Sequence, residues 1–295
     1  MDILETDAYD RRQRRNTSCV LFLFLLPFFI SSSFYFYLWI PQNAPSLFAA
    51  AVKSSPVISL AAVVLVYNGG RSFWGVAGGL LFSACGDCCL IWPELFLHGM
   101  AAFGMAHLLY AISFLSNRYS SLSSSSATLF LSIFLWMTGA GAYFYLLPFL
   151  QKRTDSTILT PGVGVYVILL VAMATLALHT RRSMTAIGSL SFVLSDLALS
   201  LQAFGVIDPV SEGRAVVMTT YYLAQLLVAV GDVKAGSDMG DGLGKRKRMQ
   251  SADARLGAAD DGHDDASTSC QLIRLSSGEA RANYASHCGG LRPKT

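Results

Sequence analysis

Two aspartates stand inside apolar runs of this sequence: Asp87 in "SACGDCCLIW" (residues 83–92) and Asp196 in "FVLSDLALS" (residues 192–200). An ionisable group at membrane depth costs ~2.5–3.5 kcal/mol on insertion scales, so such groups face partners or a site rather than lipid. Two carboxyls sharing a low-dielectric site tend to take different charge states, because desolvation and mutual repulsion keep one of them neutral. A neutral carboxyl beside an ionised one is equipment for general acid and base catalysis, or for passing protons through a membrane. Metal chemistry is the competing idea, since Cys85, Cys88 and Cys89 surround Asp87. At about 100° per residue the three cysteines share one helix face and Asp87 points away from them. No CxxC pair elsewhere completes a zinc pattern, so small-residue packing between helices is the expected role of these cysteines. No metal and no cofactor are expected.

The elements that must position these residues are membrane helices. Of 295 residues 53% are hydrophobic and 14% charged, and a hydrocarbon core of about 30 Å needs roughly 20 apolar residues per crossing. Eight such runs are read, at 18–40, 46–66, 73–92, 97–116, 127–149, 158–179, 183–204 and 214–233. They predict an all-α polytopic fold, because in lipid each backbone N–H and C=O is best satisfied within its own helix. The first run is too long for a signal-peptide core and lacks a small-residue cleavage site. "RRQRR" before it places the N-terminal arm (1–17) in the cytosol. Eight crossings return the C-terminus to the same side, giving thirteen basic residues in cytosolic segments against three, Lys152, Arg153 and Arg214, on the far side. The "QKR" loop is the exception to this bias. Residues 234–295, rich in Gly, Ser, Ala and Asp, cannot bury a core and read as a disordered cytosolic tail; "SSLSSSS" (120–126) reads as a flexible loop. The formal net charge of +3 is accounted for by membrane orientation, so no nucleic-acid partner is expected.

Depth brings the polar residues together. Counted from Phe73, Asp87 lies 14 residues into the third span, and Asp196 lies 13 residues past Ser183 in the seventh; both are ~20 Å from the cytosolic face. Lys53 reaches a similar level from the opposite side, His107 and Gln225 fall near the midplane, and Tyr221 and Tyr222 bracket the carboxylates. Five spans thus carry polar groups into one thin slab, as a shared cavity requires. The halves also echo each other: Asp87 is followed on the next span by "AHLL" (106–109), and Asp196 by "AQLL" (224–227). This suggests two four-helix repeats in parallel. Phe96, Gly99, Phe103, His107 and Tyr110 recur at three- and four-residue spacing on one face. Packing is the expected role of Phe96 and Phe103. For His107 a structural hydrogen bond competes with a role in the site, and Tyr110, Tyr221 and Tyr222 could be packing residues with satisfied hydroxyls. Lys53 could simply neutralise one carboxylate.

Taken together, "AAAVKSSPV", "LLFSACGDCCLIW", "FLHGMAAFGMAHLLY", "FVLSDLALS" and "MTTYYLAQLL" resemble the eukaryotic lysoplasmalogenase group of the YhhN-like family of multi-spanning membrane proteins. The resemblance covers residues 18–233. Bacterial members tend to place proline directly after the lysine, whereas here Ser54 and Ser55 intervene before Pro56, which bears on the helix bend and the aim of Lys53. The resemblance implies hydrolysis of the vinyl ether bond of lysoplasmalogens to a fatty aldehyde and a glycerophospho-ethanolamine or -choline. It also implies no metal cofactor, a lysophospholipid substrate and an endoplasmic-reticulum membrane. On it, Asp87 and Asp196 are the expected acid and base, with Lys53, His107, Tyr110, Tyr221, Tyr222 and Gln225 binding substrate and water. A proton-coupled transporter of a small solute or lipid is the alternative, since residue physics alone leaves enzyme and transporter level; a lipid receptor without turnover is a third reading.

Overall fold

The fold is described from a computed structural model, for residues 3–39, 45–68, 72, 74–119, 125–207 and 212–239. Residues 240–295 of the expected tail and residues 120–124 of the serine loop lie outside the described residues.

Eight helices follow one another: α1 Ile3–Leu38, α2 Leu47–Asn68, α3 Val76–Cys89, α4 Phe96–Phe114, α5 Ser126–Gln151, α6 Ser156–His179, α7 Ser183–Ala203 and α8 Glu212–Met239. Seven of them have the length and apolarity to cross a bilayer, in α1 through its Cys19–Leu38 portion. The chain is a multi-pass, all-α membrane protein. The third helix is the exception: it has 14 residues, ~21 Å of rise, against a hydrocarbon core of about 30 Å. The expected span of 73–92 is therefore helical only in its middle. Its C-terminal end is set by Pro93, which disfavours helix at the preceding residue; Trp92 is extended, at φ −105 and ψ 120. At the other end α8 runs on to Met239, beyond the expected boundary at 233.

Prolines lie inside several of the helices, Pro56 in α2 beside the site and Pro27 in α1 among them. Pro56 cannot donate to the Val52 carbonyl; the Ser55 hydroxyl donates to that carbonyl instead, at 3.0 Å. One of the two serines that precede Pro56 thus fills the bond that the proline leaves open, and α2 continues unbroken around Lys53. In α1, the Ser31 hydroxyl donates to the carbonyls of Pro27 and Phe28.

One apolar core gathers residues from α1, α2, α3, α4, α6, α7 and α8. The fifth helix stands outside it, packing on α6 and exposing Phe130, Phe134 and Met137. In lipid such exposure is the rule for helices at the rim of a bundle. α8 is the most buried of the long helices. Its side chains hydrogen-bond to α2, α3 and α4, and its Val217 carbonyl accepts from Ser195 of α7 at 3.0 Å.

At the end of the bundle where α8 finishes, one fully buried carboxylate, Asp232, ties three segments together. Oδ2 accepts from Asn68 and from Ser72, each at 2.7 Å. Oδ1 accepts from the Tyr119 hydroxyl at 3.1 Å, and Arg118 donates to both oxygens at 3.3–3.4 Å. Burial, then the Asp232 carboxylate beside it, pushes the Tyr119 hydroxyl well above its ordinary value, so it stays a donor at any physiological pH. The sequence reading did not weigh Asp232, which sits among the last residues of the expected eighth span. Because breaking a buried ion pair strands the remaining charge, Asp232→Ala should lower unfolding stability by about 3–5 kcal/mol. The exposed Arg182–Asp238 pair, at 2.9 Å, sets the comparison: Asp238→Ala should cost less than about 1 kcal/mol. Thermal unfolding in detergent compares the two, and equal small shifts would remove Asp232 from its assigned role.

Candidate functional site

The two intramembrane aspartates sit in separate, similarly built clusters. Asp87, on α3, is 1% exposed. Its Oδ1 lies 3.7 Å from the Lys53 ammonium of α2, and its Oδ2 accepts from the Tyr221 hydroxyl of α8 at 2.7 Å. Cys85 of the same helix is exposed, so carboxylate and thiol point in different directions as the helical spacing requires. Asp196, on α7, presents Oδ2 to the Tyr166 hydroxyl of α6 at 2.7 Å and to His107 Nε2 of α4 at 3.2 Å. His107 Nε2 also lies 3.1 Å from the Tyr166 oxygen, closing a triangle. The other ring nitrogen, Nδ1, is buried with no protein partner, so its Nε2 contacts fix the ring. Each carboxylate thus takes one partner from the helix before its own and one from the last helix of the other half. Of the two echoing motifs, "AHLL" supplies His107 to Asp196, whereas Gln225 of "AQLL" accepts from Tyr110 and the α8 partner of Asp87 is Tyr221, four residues earlier.

Between the clusters lie rings. Phe192 packs edge-on against His107, centroids 5.4 Å apart, and against Tyr221 at 6.0 Å. Phe103 meets Tyr221 edge-on at 5.9 Å. Its ring also lies where a side chain on Gly86 would have to go, since a Cβ there would come within 2.6 Å of it. Glycine next to Asp87 is what lets Phe103 press against α3.

Phe103 also lines a cavity, with an empty volume of about 850 Å³ that includes its mouth. Helices α3 to α7 line it, and its walls are almost wholly apolar. Asp196 and Tyr166 border it; Asp87 does not. Since both partners of Asp196 engage Oδ2, its Oδ1 has no hydrogen bond among the described residues and is the oxygen left for a molecule in the cavity.

The remaining expected site residues fall as follows. Tyr110 donates to Gln225 Oε1 at 2.7 Å, both being fully buried; they link α4 to α8 away from the cavity. Tyr222 donates to the Lys53 backbone carbonyl at 2.8 Å, so its hydroxyl is a structural bond on α2. Lys53, Asp87 and Tyr221 come together, as do His107 and Asp196, but the two aspartates share no partner. The sequence reading missed Tyr166. A tyrosine in an apolar span carries no distinguishing signal, and its position ten residues into α6 shows its role only once α7 is beside it.

An eight-helix bundle that sets one buried and one half-buried carboxylate in two crossed clusters defines a polytopic membrane protein with polar groups inside its apolar spans. The chain belongs to the YhhN family, whose model matches residues 48–231. It is 39% identical over 207 residues to lysoplasmalogenase TMEM86B of Sus scrofa, covering 70% of this chain and 84% of that one. Against lysoplasmalogenase TMEM86B of Homo sapiens it is 38% identical over 212 residues, 72% and 87% of the two chains. Against lysoplasmalogenase TMEM86A of Bos taurus it is 32% identical over 238 residues, 74% and 91%. The family resemblance read from the five motifs is thereby met. No solved structure matches the chain at a significant level.

Hydrogen bonds to charged groups contribute more than those to neutral ones. Tyr221→Phe, which takes the phenol from Asp87, should therefore destabilise by about 1.5–3 kcal/mol, and Tyr222→Phe by about 1 kcal/mol. Unfolding of the two variants side by side checks the order; a reversed order would mean that Asp87 does not depend on Tyr221.

Proposed function

We propose that this protein hydrolyses the vinyl ether bond of lysoplasmalogens, releasing a fatty aldehyde and glycerophospho-ethanolamine or -choline. Family membership and the relatives named lysoplasmalogenase support the substrate class. The single structural observation that carries the chemistry is Asp196: a carboxyl with one free oxygen on the wall of an otherwise apolar cavity.

A vinyl ether hydrolyses when its β-carbon takes a proton. In this reading Asp196 delivers that proton, and Asp87, with Lys53 and Tyr221 against it, takes no part in the proton transfer. Asp196 gives its proton to the β-carbon and the α-carbon becomes an oxocarbenium ion. Water adds to that carbon and returns a proton to Asp196, which acts first as acid and then as base. The hemiacetal collapses to aldehyde and glycerol hydroxyl, with one water consumed overall. Tyr166 and His107 hold Oδ2 so that Oδ1 faces the cavity. Asp87, with Lys53 and Tyr221, acts from behind the Phe103 ring, holding negative charge near the cation that forms. The cavity walls take the alkenyl chain, which an amphiphile can insert at little cost because it exchanges one apolar surrounding for another. By the distribution of basic residues, both termini lie in the cytosol; the family resemblance supports an endoplasmic-reticulum membrane.

Purified protein given lysoplasmalogen should release aldehyde. Asp196→Asn should lower the rate by about 10²- to 10⁴-fold with its unfolding temperature unchanged, and Tyr166→Phe should lower it less. Full activity in Asp196→Asn would remove the mechanism. Solute flux into proteoliposomes with no aldehyde formed would favour the transporter in its place.

A further inference from the structure

The lining of the cavity is uneven in depth. Its residues come from the end of α3 (Leu90), the start of α4 (Phe96), the C-terminal half of α5, the N-terminal half of α6 (Val163) and the end of α7 (Phe204). In antiparallel neighbours all of these lie towards one side of the bundle, the side of the α3–α4, α5–α6 and α7–α8 connections and opposite to Asp232. Asp196 is seven residues before Ala203, where α7 ends, so it lies ~10 Å below that side. The cavity continues past it to Val171 of α6, 15 residues beyond Ser156 and so ~22 Å deep. A single-chain lipid whose reacting bond meets Asp196 therefore has its chain towards the bundle interior and its headgroup at the α5–α6 side.

There the chain carries Lys152 and Arg153, the two basic residues that run against the charge bias of the topology. Both are exposed, and neither has an ion pair among the described residues; Lys152 lies over the Phe149 ring at 5.8 Å. Arg214, the third basic residue of that side, is stacked on Trp39, just past the end of α1, at 3.9 Å. The α5–α6 turn is fastened directly over the cavity rim. Leu150, fully buried, packs with Leu146, Leu159, Val163 and Phe204, and the Tyr143 hydroxyl donates to the Thr160 carbonyl at 3.3 Å. In a lysophospholipid a few bonds separate the phosphate from the ether oxygen, roughly 6 Å at ordinary bond lengths. The rest of the ~10 Å from Asp196 to the helix ends is within reach of a lysine or arginine side chain.

From this geometry we infer that Lys152 and Arg153 form the phosphate-recognition site for the lipid headgroup, setting substrate preference without taking part in bond breaking. The inference rests on the proposed hydrolysis for its substrate, and its ligand class is a phosphate monoanion on a single-chain lipid. Charge-assisted bonds to phosphate should appear in binding and not in turnover.

The test compares wild type with the Lys152→Gln/Arg153→Gln double variant, using lysoplasmalogen and 1-alkenylglycerol, which has the same vinyl ether and no phosphate. Each is assayed in neutral detergent micelles and in vesicles containing anionic lipid. The double variant should raise KM for lysoplasmalogen about tenfold or more in micelles, leave kcat within about twofold, and leave 1-alkenylglycerol unchanged. Lys152→Arg should retain wild-type KM, as should Lys234→Gln at the opposite end. An unchanged KM for lysoplasmalogen, an equal change for both substrates, or an effect confined to anionic vesicles would overturn the inference, the last by reducing it to attraction to a charged membrane surface. If wild type releases no aldehyde, equilibrium binding of a saturated 1-alkyl lysophosphatidylethanolamine, which cannot be cleaved this way, decides separately. Weaker binding by the double variant keeps the headgroup site while the hydrolysis falls; equal binding removes the site.

Discussion

A carboxylate inside a bilayer must find its partners on other helices, because its own helix has already used its backbone groups. That requirement organises this bundle. Asp87 is held by Lys53 from α2 and Tyr221 from α8, and Asp196 by Tyr166 from α6 and His107 from α4. Neither half of the chain can satisfy its own aspartate alone. The two halves are thereby locked in register to within a hydrogen-bond length, which hydrophobic packing in lipid would not do, since helix and lipid surfaces are equally apolar. Asp232 repeats the device at one end of the bundle, with partners from α2 and from the turns before α3 and after α4.

The same arrangement separates two electrostatic environments that lie close together. Asp87 has the Lys53 side chain against it and does not line the cavity; Asp196 has a phenol and an imidazole and borders it. Phe103 stands between, seated against Gly86. The two carboxylates are not in direct contact; they differ in their surroundings, and Asp196 is the one that borders the cavity.

Much of this was legible in the sequence because burial in lipid makes polar residues conspicuous. Asp87, Asp196, Lys53 and His107 stood out by type, and counting residues from the span ends placed them at one depth, where the structure joins them pairwise. The short echo between the halves set Asp87 and Asp196 in corresponding positions; it did not show which helices supply their partners. What depth could not supply was rotation about each helix axis. It set the two aspartates in one slab but not on opposite sides of a ring, and it grouped Tyr222, whose hydroxyl serves a backbone carbonyl, with residues that face a carboxylate. Tyr166 was hidden because tyrosine is ordinary in apolar spans. Asp232 was hidden because a charge near a span end reads as an interfacial residue until Asn68, Ser72 and Arg118 are seen around it. The third helix was shortened by a proline whose effect on Trp92 is local and whose consequence for a crossing element is not.

The two ends of the bundle differ in a way that bears on how a lipid could use it. At the Asp232 end, buried hydrogen bonds fasten the connecting segments to α8, and opening a path there would strand a carboxylate and a guanidinium. At the other end the helix termini around the cavity meet mainly through aliphatic and aromatic contacts, such as Phe96 against Phe204 at 6.1 Å, with a half-buried hydrogen bond from Tyr143 to the Thr160 carbonyl and no buried ion pair among the described residues. On the proposed reaction, a single-chain amphiphile entering from that end would need those contacts to yield. Its chain would pass from one apolar surrounding to another, its headgroup would not cross the slab of buried polar groups, and its linkage region would lie beside Asp196 Oδ1, which has no hydrogen bond among the described residues.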